Sequence, residues 1–224
     1  MSLRKILIAG LALLVPLAAF ADGGKYPIKA DDDGEIVANF DMKPADLARL
    51  DKLAGKVIAG NPQGDVTLIQ FYDLNCPYCR AAAADVDTLA QSDKKLKIVF
   101  VPYAVLSVQS VLGAMVELAA AKLLTPAQFI EFHRRIYAER GMIDGRKVLA
   151  AAQAMGLDAN KVAADAETQA TLDILRASAS FGSEAGLAAT PAYVIGGVAI
   201  VGHPGLKALQ SAVRAERICG KVVC

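Results

Sequence analysis

The feature that most constrains the fold is the placement of Cys76-Pro77-Tyr78-Cys79 just after an apolar run. Val66 to Tyr72 (VTLIQFY) is β-branched and aromatic and reads as a strand buried on both faces. The Ala-rich stretch from Arg80 to Ala90 has helical character, and Leu96 to Val101 (LKIVFV) reads as a second strand closed by Pro102. Strand, short helix and strand form a βαβ unit, which requires the two strands to be parallel. If the helix begins at or just after Cys76, that sulfur sits at the positive end of the helix dipole. Unpaired backbone N–H groups and the dipole favour a thiolate there. Cys79 is then one turn further on, close enough to form a disulfide with Cys76. Pro77 suits the first turn because it has no N–H to satisfy.

The cysteine pair admits several chemistries. A structural Cys76–Cys79 disulfide would close so small a ring that it constrains few unfolded conformations. A zinc site would need four ligands and would have to enlist Cys219 and Cys224, whose four-residue spacer is within the zinc range. A strand before Cys76 and a helix after it are not the setting of a zinc knuckle. Paired thiolates also suit Cu(I), which leaves a metallochaperone as an alternative. A non-catalytic chaperone or binding module using the same groove is another. A C-x-x-C beside a βαβ pattern reads as a redox motif of the thioredoxin kind. In that reading Cys76 is the nucleophile, Cys79 the resolving thiol, and a mixed disulfide with a client protein the intermediate.

The rest of the chain fits around this unit. Arg4 and Lys5, an apolar or small run from 6 to 20, and Ala19-Phe20-Ala21 match a secretory signal peptide cleaved after Ala21. Residues 22–55 read as a leader. Its Asp31-Asp32-Asp33 run is expected to be a solvated turn. Its one short helix opens at Pro44, with Leu47, Leu50 and Leu53 along one side. Gly60 to Asp65 is a turn cluster. From Leu106 to Ser180 the chain looks helical. Leu106 to Leu124 is apolar nearly all round, which predicts a buried helix. Thr125-Pro126-Ala127-Gln128 is a helix start, followed by Phe129, Phe132, His133, Ile136 and Tyr137 at helical spacing. Further helices are expected from Arg146 to Met155 and from near Asp158. Ala192 to Ile195, Gly196-Gly197 and Val198 to Val201 read as a β-hairpin, and Pro204 to Arg217 as a final helix.

Thr190-Pro191, just before the hairpin, is by itself an ordinary X-Pro bond, cis or trans. The strand and motif IQFYDLNCPYCR, the distant ATPAYVIGG segment and the helical block between them resemble the DsbA-type branch of the thioredoxin superfamily, over roughly Val57 to Arg217. The resemblance implies an α/β thioredoxin fold (βαβ…ββα) in a domain of residues 56–217, interrupted by a lid-like helical insertion over about 104–181. It implies a cis Pro191 against the active-site pair, a Thr190 backbone that pairs with client protein, and Cys76 and Cys79 as the reactive couple. Pro77-Tyr78 between the cysteines and Thr before the proline are closer to DsbG and ScsC proteins than to the best-known oxidases. Where many relatives carry a buried acid, the strand has Gln70, which cannot take a proton from Cys79; Asp73 is nearby but in the loop. The implied activity is thiol-disulfide exchange with folding exported proteins in the periplasm. Oxidase is the default, and isomerase or reductase is the alternative. A membrane redox partner is implied too. The chemistry needs no cofactor and no metal. Residues 22–55 hold no heptads, which favours a monomer.

Composition excludes other classes. Lys plus Arg total 24 and Asp plus Glu 23, so neither sign dominates as a sequence-wide nucleic-acid binder requires. There is no H-E-x-x-H, G-x-S-x-G, G-x-G-x-x-G or Walker A pattern. His133 reads as a packed or rim residue and His203 as a loop residue. Arg134, Arg135, Arg140 and Arg146 read as a solvated face. In the 218–224 tail, Cys219 and Cys224 read as a local disulfide that pins the terminus, with an electron relay to Cys76 as the sharper alternative.

Overall fold

The computed structural model describes residues 24–224. The expected signal peptide and its cleavage site after Ala21 lie outside them. No helix among the described residues is long and apolar enough to cross a membrane.

Two continuous apolar runs form the centre of the sheet. β3 (Val66–Tyr72) and β4 (Leu96–Pro102) pair in parallel, with Val66 opposite Leu96 and Tyr72 opposite Pro102. The helix between them, α2 (Pro77–Ser92), supplies the crossover. β5 (Ala192–Ile195) runs antiparallel beside β3, and β6 (Val198–Val201) beside β5. Gly196 and Gly197 make the hairpin turn with φ of 54° and 79°, a conformation that L side chains resist and that matches the twist of the strands.

The sequence reading missed both edges. β1 (Asn39–Asp41) pairs with β6, and β2 (Val57–Gly60) pairs with β4. Among the described residues the sheet therefore has six strands, in the order β1-β6-β5-β3-β4-β2. The leader supplies β1 to this sheet and also carries α1 (Pro44–Lys52). The Asp31 carboxylate accepts from the Lys207 and Ala208 amides, at 2.7 and 3.1 Å. These are first-turn N–H groups of α8 (Leu206–Cys219), which has no side-chain cap of its own. One member of the acidic run is thus a cap from afar.

The strands alternate their side chains between two cores. Leu68, Tyr72, Ile98, Phe100, Tyr193 and Ile200 face α2, α8 and the helical block. Phe71, Val99, Val101, Val194 and Ala199 face the opposite way, towards Leu50 of α1 and Phe181 of α7 (Gln169–Glu184). The Phe71 and Phe181 rings stack at 5.7 Å. Gly182 allows this approach, since a Cβ there would meet the Tyr103 ring at 2.7 Å.

Between β4 and β5 lie α3 (Val108–Ala121), α4 (Pro126–Ala138), α5 (Gly145–Ala154), α6 (Ala159–Ala166) and α7. The Thr125–Gln128 capping box forms at the start of α4. Asp144, Asp158 and Thr168 cap α5, α6 and α7. The expectation of a fully buried first helix is corrected. Val108 is 70% exposed and Leu112 48%, while Glu117 on the other side is fully buried. The reason is a polar cluster inside the core. The Tyr72 hydroxyl donates to Glu117 Oε2 at 2.8 Å, and His133 Nδ1 lies 2.7 Å from Glu117 Oε1. The His133 ring packs among Tyr72, Phe100, Phe129 and Tyr137, with centroids between 4.5 and 5.7 Å apart. A buried carboxylate is tolerated only when it is so partnered. The cluster joins β3, α3 and α4 and so ties the helical block to the sheet.

Candidate active site

The site is built where β3 ends and α2 begins. After Tyr72 the chain turns through Asp73, Leu74 and Asn75 and enters α2 with Cys76 as N-cap and Pro77 as first helical residue. Cys76 has extended backbone angles (φ −76°, ψ 121°), and its sulfur accepts from the Cys79 amide at 3.4 Å. A sulfur thus fills the place that Ser, Thr, Asp or Asn usually takes at a helix start. That geometry aims the N–H groups of the first turn at the Cys76 sulfur and favours its anion.

Cys76 and Cys79 are both unpaired and buried. Their environments push them in opposite directions. The Cys76 thiol is lowered from 9.0 to about 6, chiefly by the hydrogen bond from the Cys79 thiol, with help from the Thr190 side chain and the Cys79 and Tyr78 amides; burial opposes this. The Cys79 thiol is pushed far up, first by burial and then by the neighbouring Cys76 sulfur. Two thiols one helical turn apart are thereby differentiated into a ready anion and a proton-holding partner.

Thr190-Pro191 faces them. The peptide bond between these residues is cis. The Thr190 carbonyl accepts from the Cys76 thiol at 3.1 Å, which brings the β5 entry against α2 across 114 residues of sequence. Pro191 is buried and Tyr78 is 70% exposed, so the tyrosine stands at the rim rather than in the pair's core contacts.

Three polar residues absent from the sequence-based site organise its surroundings. The buried Asp73 carboxylate accepts from Ser110 Oγ at 2.6 Å and from the Asn75, Val105 and Leu106 amides at 2.8 to 3.0 Å. It ties the turn before Cys76 to the loop after β4. The Asn75 side-chain amide pairs with both backbone groups of Ile143. Arg80 donates to the Tyr137, Glu139 and Gly141 carbonyls. All three residues flank the cysteines in the sequence. Their partners are mostly backbone atoms of remote loops, which leave no side-chain pattern to read.

The other candidates fall outside the site. Gln70 is buried on the α2 side of β3, with its Oε1 unpartnered among the described residues. His203 bridges the Tyr193 hydroxyl and Asp85, at 2.8 and 2.9 Å, and so links α2 to the hairpin. Arg134 and Arg135 pair with Glu131 on an exposed face. Cys219 and Cys224 are joined by a disulfide. Arg217 beside them binds Asp65, just before β3, and Asp93, just after α2. The tail therefore lies at the far end of α2, which has 16 residues and is about 24 Å long. That separation rules out direct contact between the two cysteine pairs.

Comparison with known proteins agrees with this architecture. The family model described as thioredoxin matches residues 52–215. Among curated proteins none matches. A thioredoxin-like oxidoreductase from Silicibacter pomeroyi is 30% identical, with a TM-score of 0.68, over 75% of this chain and 96% of that one. The thiol-disulfide exchange protein alpha-DsbA2 from Wolbachia pipientis is 21% identical, with a TM-score of 0.66, over 76% and 95%. The catalytic domain of Proteus mirabilis ScsC is 21% identical, with a TM-score of 0.66, over 76% and 96%. The last two bear on the fold alone. The matched segment contains the whole of the cysteine turn and the cis-proline entry, and the chain belongs to the thioredoxin family.

Proposed function

We propose that the protein exchanges disulfides with folding proteins after export to the periplasm, using Cys76 and Cys79 as its couple. The observation that carries this reading is the opposite displacement of the two thiols, Cys76 down to about 6 and Cys79 upward. A thiolate is the attacking species in exchange, and a thiol with a pKa near the ambient pH is close to the optimum attacker. The Cys76 thiolate attacks one sulfur of a client disulfide, and the other client sulfur leaves as a thiolate. The Cys79 thiol then loses its proton and attacks the mixed disulfide at Cys76. This leaves the Cys76–Cys79 disulfide and a fully reduced client. Run backwards, the same steps oxidise a client dithiol.

Unfolded chains suit the surroundings as clients. Tyr78, Val105 and Leu106 are 70%, 49% and 54% exposed beside the reactive turn. Grouped apolar side chains on a surface mark a contact for apolar partners. The Thr190 backbone pairs with an extended client segment once Cys76 has entered the mixed disulfide and no longer donates to its carbonyl, and Pro191 shapes that edge. A membrane redox partner resets the couple, and the protein acts as a monomer.

The reduction potential of the Cys76–Cys79 couple tests the reading, measured in a glutathione buffer on protein with Cys219 and Cys224 changed to Ser. A potential near −120 mV assigns a disulfide donor. A potential near or below −220 mV assigns an isomerase or reductase of the DsbG or ScsC kind. Absence of any reversible couple refutes the exchange chemistry.

A further inference from the structure

The loop between α4 and α5 is held by two residues that bracket the cysteines. Asn75 precedes Cys76 and Arg80 follows Cys79. Asn75 Nδ2 donates to the Ile143 carbonyl at 2.9 Å, and its Oδ1 accepts from the Ile143 amide at 2.7 Å. The side chain thus imitates a neighbouring strand, meeting both backbone groups of one residue. Its Nδ2 also donates to Ser110 Oγ, which itself donates to Asp73. The Arg80 guanidinium donates to the carbonyls of Tyr137, Glu139 and Gly141 and lies over the Tyr137 ring.

Neither arrangement serves α2. A cation in the first turn of a helix opposes the dipole. Arg80 instead turns its charge to the C-terminal end of α4, where the last carbonyls lack partners and the dipole favours a cation. The segment so fixed, 139–143, is a short connection whose own side chains could not hold it. Arg140 and Gly141 are exposed, and Ile143 alone is buried. Between the Gly141 and Ile143 anchors stands Met142, 56% exposed. Methionine is an adaptable apolar contact.

We propose that Asn75 and Arg80 are positioning residues that hold Met142 as an apolar contact for client side chains flanking the reacting cysteine. This rests on the exchange reading above and adds a determinant of client choice to it. The occupant is an extended client chain with an apolar residue next to its cysteine. Continuity with the reactive turn supports this choice, since the loop is bonded directly to the neighbours of Cys76 and Cys79. Arg80 and Asn75 then act on client preference rather than on the thiol chemistry.

The test uses two peptides, each with one cysteine held as a mixed disulfide with thionitrobenzoate. In one the cysteine is flanked by Leu, in the other by Ser. The Cys76 thiolate of the reduced protein attacks the peptide sulfur, and thionitrobenzoate leaves as a coloured anion. The readout is the ratio of second-order rate constants, Leu over Ser, which a uniform loss of folded protein does not move. The ratio is expected to be about ten in the parent, the worth of one leucine-sized contact, and to fall towards one in Asn75→Ala. Met142→Ser replaces an exposed side chain, leaves the fold intact and lowers the ratio in the same direction. An unchanged ratio in either variant overturns the inference, as does a parent ratio of one. Failure of the parent to release thionitrobenzoate from either peptide removes the exchange reading beneath it.

Discussion

Replacing Cys79 with Ala removes the largest single cause of the low Cys76 pKa, the hydrogen bond from the Cys79 thiol, and leaves the backbone donors of the first helical turn in place. A hydrogen bond to a charged group is worth about 1.5–3 kcal/mol. At 1.36 kcal/mol per unit this raises the Cys76 pKa by about 1 to 2 units. From about 6 in the parent, the thiolate fraction at pH 7 falls from roughly 90% to between about 50% and 10%. Alkylation by iodoacetamide at pH 7 therefore slows by about two- to ninefold. Cys79→Ser keeps a hydroxyl donor at the same position and stays closer to the parent. Thiolate absorbance or alkylation rate against pH gives the three midpoints directly. The reasoning is refuted if Cys79→Ala titrates at the parent midpoint, or if the parent titrates near 8.5. The same shift fixes the pH dependence of the reduced protein's stability. The folded-state value lies below the unfolded one, so the contribution is full above about pH 8.5 and is lost as pH falls through about 6.

Two further outcomes follow from the packing. Asp73→Asn turns one carboxylate oxygen into a donor facing donors, because Asp73 accepts from Ser110 Oγ and three backbone amides. It is expected to cost about 3 kcal/mol and to lower Tm by roughly 6–12 °C, read by calorimetry; a Tm within a degree of the parent contradicts the hub. Changing Cys219 and Cys224 to Ser opens a loop with a sequence separation of 5. This costs about 2 kcal/mol by loop entropy while leaving the Cys76 exchange rate with glutathione as it was. A slower rate would bring back the electron relay.

The parts of the fold that the sequence announces are those whose signal is local. VTLIQFY and LKIVFV are continuous apolar runs and became β3 and β4. Gly196-Gly197 fixed the hairpin because two positive φ angles in a row admit little else. Cys76 and Cys79 were legible because their spacing is itself a statement about one helical turn. The edges were not legible. Asn39–Asp41 and Val57–Gly60 are too short and too polar or small to carry a strand pattern, and edge strands need none. The face of α3 was misjudged because the reason for burying Glu117 lies 16 residues away at His133 and 45 away at Tyr72. Asp73 was noted only as a loop acid, and Asn75 and Arg80 were passed over. Each of them acts mainly on main-chain atoms, whose positions depend on the finished fold.

The Tyr72–Glu117–His133 cluster has a consequence for how the molecule comes apart. Glu117 rides on α3 and His133 on α4, so moving α4 away while α3 stays docked takes a partner from a buried carboxyl group, a cost beyond the lost packing. Opening of α4 alone is thereby penalised by more than its apolar contacts. The two helices α3 and α4 are expected to open together in hydrogen exchange, as one local unit. A protease then reaches α4 only when α3 has opened with it.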